Sequence, residues 1–347
     1  MAKHQLCSEY VLPGEVKLKN RLVMAPMTRC FADDKLSPTQ ATQRYYQARA
    51  EAGLIITEAT MIEPRAQGYP GTPGIYSETQ IHAWARVVDA VHKADGRIFC
   101  QLWHTGRMAH SHYTGQQPIA PSAISMKGAL PRAPELSYEV PLEMKMPDIE
   151  KIQTNYAEAA KNAIKAGFDG VELHGANGYL IDQFLHQQTN QRTDDYGGNT
   201  ENRARFALEV VDKTISAVGA YRVGIRRSPQ AYINLDYTPD DEKTFDYLID
   251  QLNQRKLAYI HAAAFDAQQR YEYLGGRPVD YLRKRYNGCM ISCGSYTPAS
   301  AEQEIHDQRT DLVAFGRPFI ANPNLPEKIR HHEELLPYDE TMLQSLR

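Results

Sequence analysis

Eight short runs rich in apolar and β-branched residues recur along the chain, at residues 22–28, 54–60, 97–103, 170–174, 222–226, 258–262, 289–293 and 312–317. Between them the apolar positions fall at helical spacing, as in TQATQRYYQARAEA, TQIHAWARVVDAVHKAD, IEKIQTNYAEAAKNAIKAG, ENRARFALEVVDKTISAV and EKTFDYLIDQLNQRK. Strand and helix therefore alternate to the end, which predicts a parallel sheet. Eight repeats of the unit predict that the sheet closes into a (β/α)8 TIM barrel rather than an open doubly wound fold. No linker or shift in composition divides the 347 residues, so a single domain over 1–347 is expected. Gly53, Gly96 and Gly167 each precede a strand, where a left-handed helix stop is wanted.

Two connections exceed the usual strand-to-helix length: residues 105–147, rich in Pro, Ser and Gly, and residues 175–200. Both leave the carboxyl end of a strand, the face on which barrel active sites are built, and are expected to lie over the active site.

Composition narrows the partners. Thirty-nine Lys+Arg against 42 Asp+Glu, with no basic stripe, argue against nucleic acid. No stretch approaches the roughly 18 apolar residues a membrane helix needs, and the first residues lack a signal-peptide core, so a cytoplasmic protein is expected. Five cysteines without a C-x-x-C pair suggest neither disulfides nor a thiolate zinc site.

The chemistry should sit at the strand ends, which are Thr28, Ala59, Gln101, His174, Arg226, His261, Gly294 and Arg317. The fourth run continues as GVELHGANGYLIDQFL. His174 and Asn177, three apart across a tight turn, can aim two donors at one oxygen, and Tyr179 follows as a potential proton donor. An Asn-Gly turn with a capping His and a packed Tyr would use the same residues. The seventh and eighth runs end in ISCGSYTPAS and LVAFGRPFIANP, where Gly294-Ser295 and Gly316-Arg317 offer backbone and a fixed cation at the place where this fold commonly holds a phosphate.

These motifs, together with APMTR, LIITEAT, QLWHTGR, RTDDYGGNTENRARF and FGRPFIANPNLPEKIR, resemble the Old Yellow Enzyme family of flavin-dependent ene-reductases over about residues 5–330. The resemblance implies non-covalent FMN across the barrel mouth, with NAD(P)H, NADPH favoured, as reductant. It implies that His174 and Asn177 bind the activating oxygen of an electrophilic alkene or quinone while Tyr179 supplies the proton. Thr28 would bond the flavin near N5, Gln101 and Arg226 would hold the ring, and Gly294, Ser295, Gly316 and Arg317 the phosphate. Pro26, Met27 and Ala59 would line the flavin, and Tyr69 and Trp103 the substrate pocket. Arg226 would favour the reduced, more anionic flavin.

Residues 228–239 and 263–277 and the ending MLQSLR depart from the family pattern, which bears on substrate range. Two other readings are a metal-dependent barrel hydrolase using some of the 12 histidines, and a flavin-binding protein without turnover. Against the first, His110, His112, His331 and His332 lie away from the strand ends. Against the second stands the intact set His174, Asn177 and Tyr179.

Overall fold

The computed structural model describes residues 5–230 and 234–346. Eight strands form the barrel: β1 (Leu22–Met24), β2 (Leu54–Ile56), β3 (Ile98–Trp103), β4 (Gly170–His174), β5 (Val223–Arg227), β6 (Tyr259–Ala263), β7 (Met290–Cys293) and β8 (Leu312–Phe315). Each pairs in parallel with the next, and β8 pairs with β1, so the expected ring closes. Outside it run α1 (Gln40–Gln47), α2 (Glu78–Lys93), α3 (Met146–Lys165), α4 (Thr200–Val218), α5 (Pro239–Asn253), α6 (Pro278–Arg285) and α7 (Pro298–His306). Local chemistry starts these helices. Ser77 caps α2 by accepting from the Gln80 N–H while the Gln80 side chain accepts from the Ser77 N–H. Among the described residues no helix is long and apolar enough to cross a membrane.

The barrel interior is filled from the amino-terminal end upward. Val23, Leu54, Ile56, Phe99, Tyr259, Ile291 and Leu312 form one buried cluster, closed below by Leu12 and Leu18 of the hairpin Tyr10–Leu12/Val16–Leu18. Room for the Phe99 and Tyr259 rings comes from glycines on the neighbouring strands. A Cβ on Gly170 would lie 2.5 Å from Phe99, and one on Gly224 would lie 2.4 Å from Tyr259.

Strand ends differ from the sequence reading for identifiable reasons. The β1 ladder continues only to the Ala25 N–H, which bonds Phe315 O; Pro26 has no N–H to offer, so Thr28 stands in the loop beyond. The second run breaks after Ile56 and rejoins β3 at Thr60–Met61. Arg317 opens a short helix, Arg317–Ala321, behind Gly316 rather than ending β8. Of the three glycines expected to stop helices, only Gly167 takes a positive φ, at +97°. Gly53 is required instead by close approach, since a Cβ there would lie 2.0 Å from Asn20 O, and Gly96 likewise faces Val91 at 2.6 Å.

Candidate active site

A cleft of about 620 Å³ opens at the carboxyl end of the barrel. Nine of the residues expected there line it: Pro26, Met27, Thr28, Asn177, Arg226, Gly294, Ser295, Gly316 and Arg317. The long loop 105–147 reaches over it, and Arg132 from that loop donates to the carbonyls of Thr28 and Arg29 at 3.2 and 3.0 Å.

At one end Arg317 is exposed and has no carboxylate within ion-pair distance among the described residues; its guanidinium lies between the rings of Phe265 and Tyr338, 5.8 and 5.7 Å from their centroids. Gly294 must be glycine, because a Cβ would meet the Ala267 N–H nitrogen at 2.5 Å. At the other end the floor is polar and buried. Arg226 is 9% exposed and its Nε has no hydrogen-bond partner among the described residues. Beneath it Glu172 accepts from Gln101 at 2.7 Å and meets His261 Nδ1 at 2.8 Å. Gln101 thus sits one layer below the cleft, tied to Glu172. Burial pushes the Cys293 thiol up, but His261 and Arg226 outweigh it and hold the thiol below its usual range.

His174 at the top of β4 is buried, and Nδ1 has no partner among the described residues. Burial, then the charges of Arg226, His261 and Arg227, hold its pKa well below the usual value, so the ring is neutral at pH 7. A neutral imidazole here can donate to an oxygen without giving up a proton. The turn after it is fastened on three sides. Asn177 N–H donates to Ser228 Oγ at 2.9 Å, Gly178 N–H donates to Asp182 at 2.9 Å, and Arg227 donates to the Gly175 carbonyl. This holds Asn177 at φ +61°, a conformation asparagine tolerates better than most residues. Burial opposes the charge on His186, yet Asp182 and Asp241 push its pKa up to about 9, so a protonated His186 supports the same carboxylate from below.

The remaining expected residues form an adjoining aromatic wall. Ala59, Met61, Ala66 and Trp103 cluster with Tyr69 and Tyr179 against them. Tyr179 packs edge-on to Trp103 at 5.0 Å and to His174 at 4.8 Å, and its hydroxyl lies 3.1 Å from that of Tyr69. His174 joins the two halves, since it touches Tyr179 on one side and takes the influence of Arg226 on the other. A flat anionic cofactor suits the cleft and an unsaturated substrate the aromatic wall.

Sequence reasoning missed Arg132, Phe265, Tyr338 and Leu343, which also line the cleft. None stands at a strand end, and only the composition of the long loop hinted at Arg132. Phe265 falls in the divergent stretch 263–277; of the other stretch, 228–239, residues 231–233 lie outside the described residues. Among the described residues no three His, Cys, Asp or Glu side chains gather as metal ligands.

Fold and site together define a barrel oxidoreductase that works through a flavin. Residues 12–335 match the model of the NADH:flavin oxidoreductase / NADH oxidase family. The chain is 40% identical to 12-oxophytodienoate reductase 1 of Oryza sativa subsp. japonica over 94% of its length and 87% of the relative's. Among solved structures it is similar to the old yellow enzyme homologue from Zymomonas mobilis (TM-score 0.91, 35% identity, 98% of this chain and 96% of that one). Morphinone reductase matches with a TM-score of 0.89 at 40% identity over 99% and 93% of the two chains. The chain belongs to the Old Yellow Enzyme family, and is a flavin-dependent NAD(P)H oxidoreductase acting on activated alkenes.

Proposed function

We propose that the chain binds one FMN non-covalently and, with NADPH preferred as reductant, reduces the C=C bond of α,β-unsaturated carbonyls and nitroalkenes, as well as quinones. The observation that carries the reading is the neutral, buried His174, whose Nδ1 has no partner among the described residues, set beside Asn177 and the Tyr179 phenol at one cleft that ends in an exposed arginine. The residues fit FMN. Arg317, with Gly294, Ser295 and Gly316, would hold the phosphate. Arg226, whose buried Nε has no partner among the described residues, would face the electron-rich edge of the ring, with Gln101 supporting it from the layer beneath, and Thr28, Pro26, Met27 and Ala59 would line it.

Bound FMN, once reduced, supplies a hydride to the β carbon of the alkene. The protein residues govern the rest. His174 and Asn177 donate to the carbonyl or nitro oxygen, which becomes more basic as negative charge moves onto it, so both bonds strengthen along the reaction. Tyr179 gives its hydroxyl proton to the α carbon, which completes the saturated product. Tyr69 and Trp103 give the substrate an aromatic wall. His174 stays neutral because it is buried and because the charges of Arg226, His261 and Arg227 stand near it.

The test is direct: purified protein should be yellow, carry one FMN per chain, and be reoxidised by enones, nitroalkenes and quinones, with NADPH and NADH compared as reductants. Arg317→Ala should weaken FMN binding roughly 10–100-fold, the scale of a lost charge-assisted contact. A colourless protein that takes up no added FMN refutes the assignment.

A further inference from the structure

Tyr179 can deliver its single hydroxyl proton to carbon only when that proton points at the substrate. Its oxygen must then accept from something else as phenolate character develops. The ring is held in place, because Trp103 at 5.0 Å and His174 at 4.8 Å pack edge-on to it from two sides. The Tyr69 hydroxyl is within reach, its Oη 3.1 Å from Tyr179 Oη and its own ring packed 5.5 Å from Trp103. Tyr69 is itself fixed at its backbone, where its carbonyl accepts from Gln67 Nε2 at 3.0 Å and from Thr72 Oγ1 at 3.2 Å.

We propose that Tyr69 is the positioning residue for the proton step: its hydroxyl donates to Tyr179, turns the Tyr179 proton toward the substrate's α carbon, and returns a proton to Tyr179 after each turnover. In the step itself the Tyr179 O–H bond breaks and a C–H bond forms from the enolate's electron pair, which leaves a Tyr179 phenolate. The Tyr69 proton then crosses the hydrogen bond, and Tyr69 regains one from solvent. Water reaches this side because both tyrosines are only half-buried. The next phenol outward is Tyr138, also half-buried on the long loop; burial and then the neighbourhood of Tyr69 push its pKa up to about 12, while Arg107 beside it works the other way. The inference rests on the role of Tyr179 given above.

The experiment is a double-mutant cycle in the FMN-loaded enzyme, with Tyr69→Phe, Tyr179→Phe and both, reading reoxidation of reduced flavin by a cyclic enone and by a quinone in stopped flow. Tyr69→Phe should slow the enone reaction roughly 10–100-fold, the scale of a hydrogen bond to a charged oxygen, and spare the quinone, which needs no proton at carbon. It should also move the alkaline limb of the enone rate to higher pH, since Tyr179 loses the donor that favours its ionised form. On the Tyr179→Phe background the same change should cost nothing further. Equal loss with both acceptors, or full additivity in the double variant, overturns the proposal by making Tyr69 a packing residue. Should Tyr179→Phe itself leave the enone rate intact, the underlying assignment of the proton donor fails instead.

Discussion

The two halves of the barrel interior obey opposite rules. In the lower half, Phe99 and Tyr259 lie 5.7 Å apart among aliphatic side chains, and glycines on the adjacent strands leave room for them and nothing more. In the upper half, Gln101, Glu172, His261, Arg226 and His174 are just as buried, yet His174 Nδ1, Arg226 Nε and His261 Nε2 have no partners among the described residues. Close packing below supplies stability through burial; orphaned donors above cost stability and are there for a ligand to satisfy. Substitutions above should therefore change chemistry and leave the fold, and substitutions below should do the reverse.

The largest effect belongs to the upper side. Tyr179→Phe keeps the ring against Trp103 and His174 and removes only the acidic proton, so enone reduction should fall about 10²–10⁴-fold, the range for a lost general acid, with quinone reduction largely spared. Thermal unfolding recorded beside the kinetics would break the comparison if the variant lost several degrees of Tm along with its rate. The counterpart below is Gly224→Ala. Its Cβ would stand 2.4 Å from Tyr259 Cε2, inside a wall that cannot yield, so about 1–3 kcal/mol of stability should be lost. Enone reoxidation per bound flavin should stay within about two-fold, which a denaturation curve and a turnover assay on the same sample can check.

A pH-dependent effect tests the loop at the carboxyl end of the first strand. Glu58 is buried, which pushes its carboxyl up to about 7, although the Arg29 and Cys30 N–H groups donate to it and pull the other way. The fold thus prefers the neutral acid. In the unfolded chain the group ionises near 4.5, so the wild type should lose stability as pH rises from there through about 7, at roughly 1.4 kcal/mol per unit at most. Glu58→Gln still accepts from both N–H groups and does not ionise. Its Tm relative to wild type should therefore climb between pH 5 and 8 and then level off. A difference that stays flat across that window removes Glu58 as an ionising group in the fold.

His174, Asn177 and Tyr179 were legible in the sequence because they lie within six residues of one another after a strand, and a single turn brings them together. Arg226 was legible because a barrel puts every strand end on one rim, and Gln101 and Arg317 because they stand within or just beyond such an end. The same logic misplaced the ends of β1 and β8, where Pro26 and Gly316 redirect the chain before the side chains that matter. Phe265, Tyr338 and Leu343 were illegible: they come from connections and from a terminal segment whose path is drawn by distant contacts, such as Arg29 donating to the carbonyls of Met342 and Ser345 at 3.1 and 2.8 Å.

Periodicity and strand-end chemistry, then, determined the barrel and its handful of polar rim residues, since these depend on spacing along one chain; the family came from the resemblance of whole motifs. Only the tertiary structure decided that His174 is neutral, that Tyr69 meets Tyr179, and that Gly53 and Gly96 answer to close approach rather than to a left-handed turn. Tyr69 and Tyr179 meet although 110 positions apart, and Gly53 faces Asn20 across 33 positions. A charge, a shared proton or a steric limit acts through space, and the order of residues does not encode it until the chain has closed.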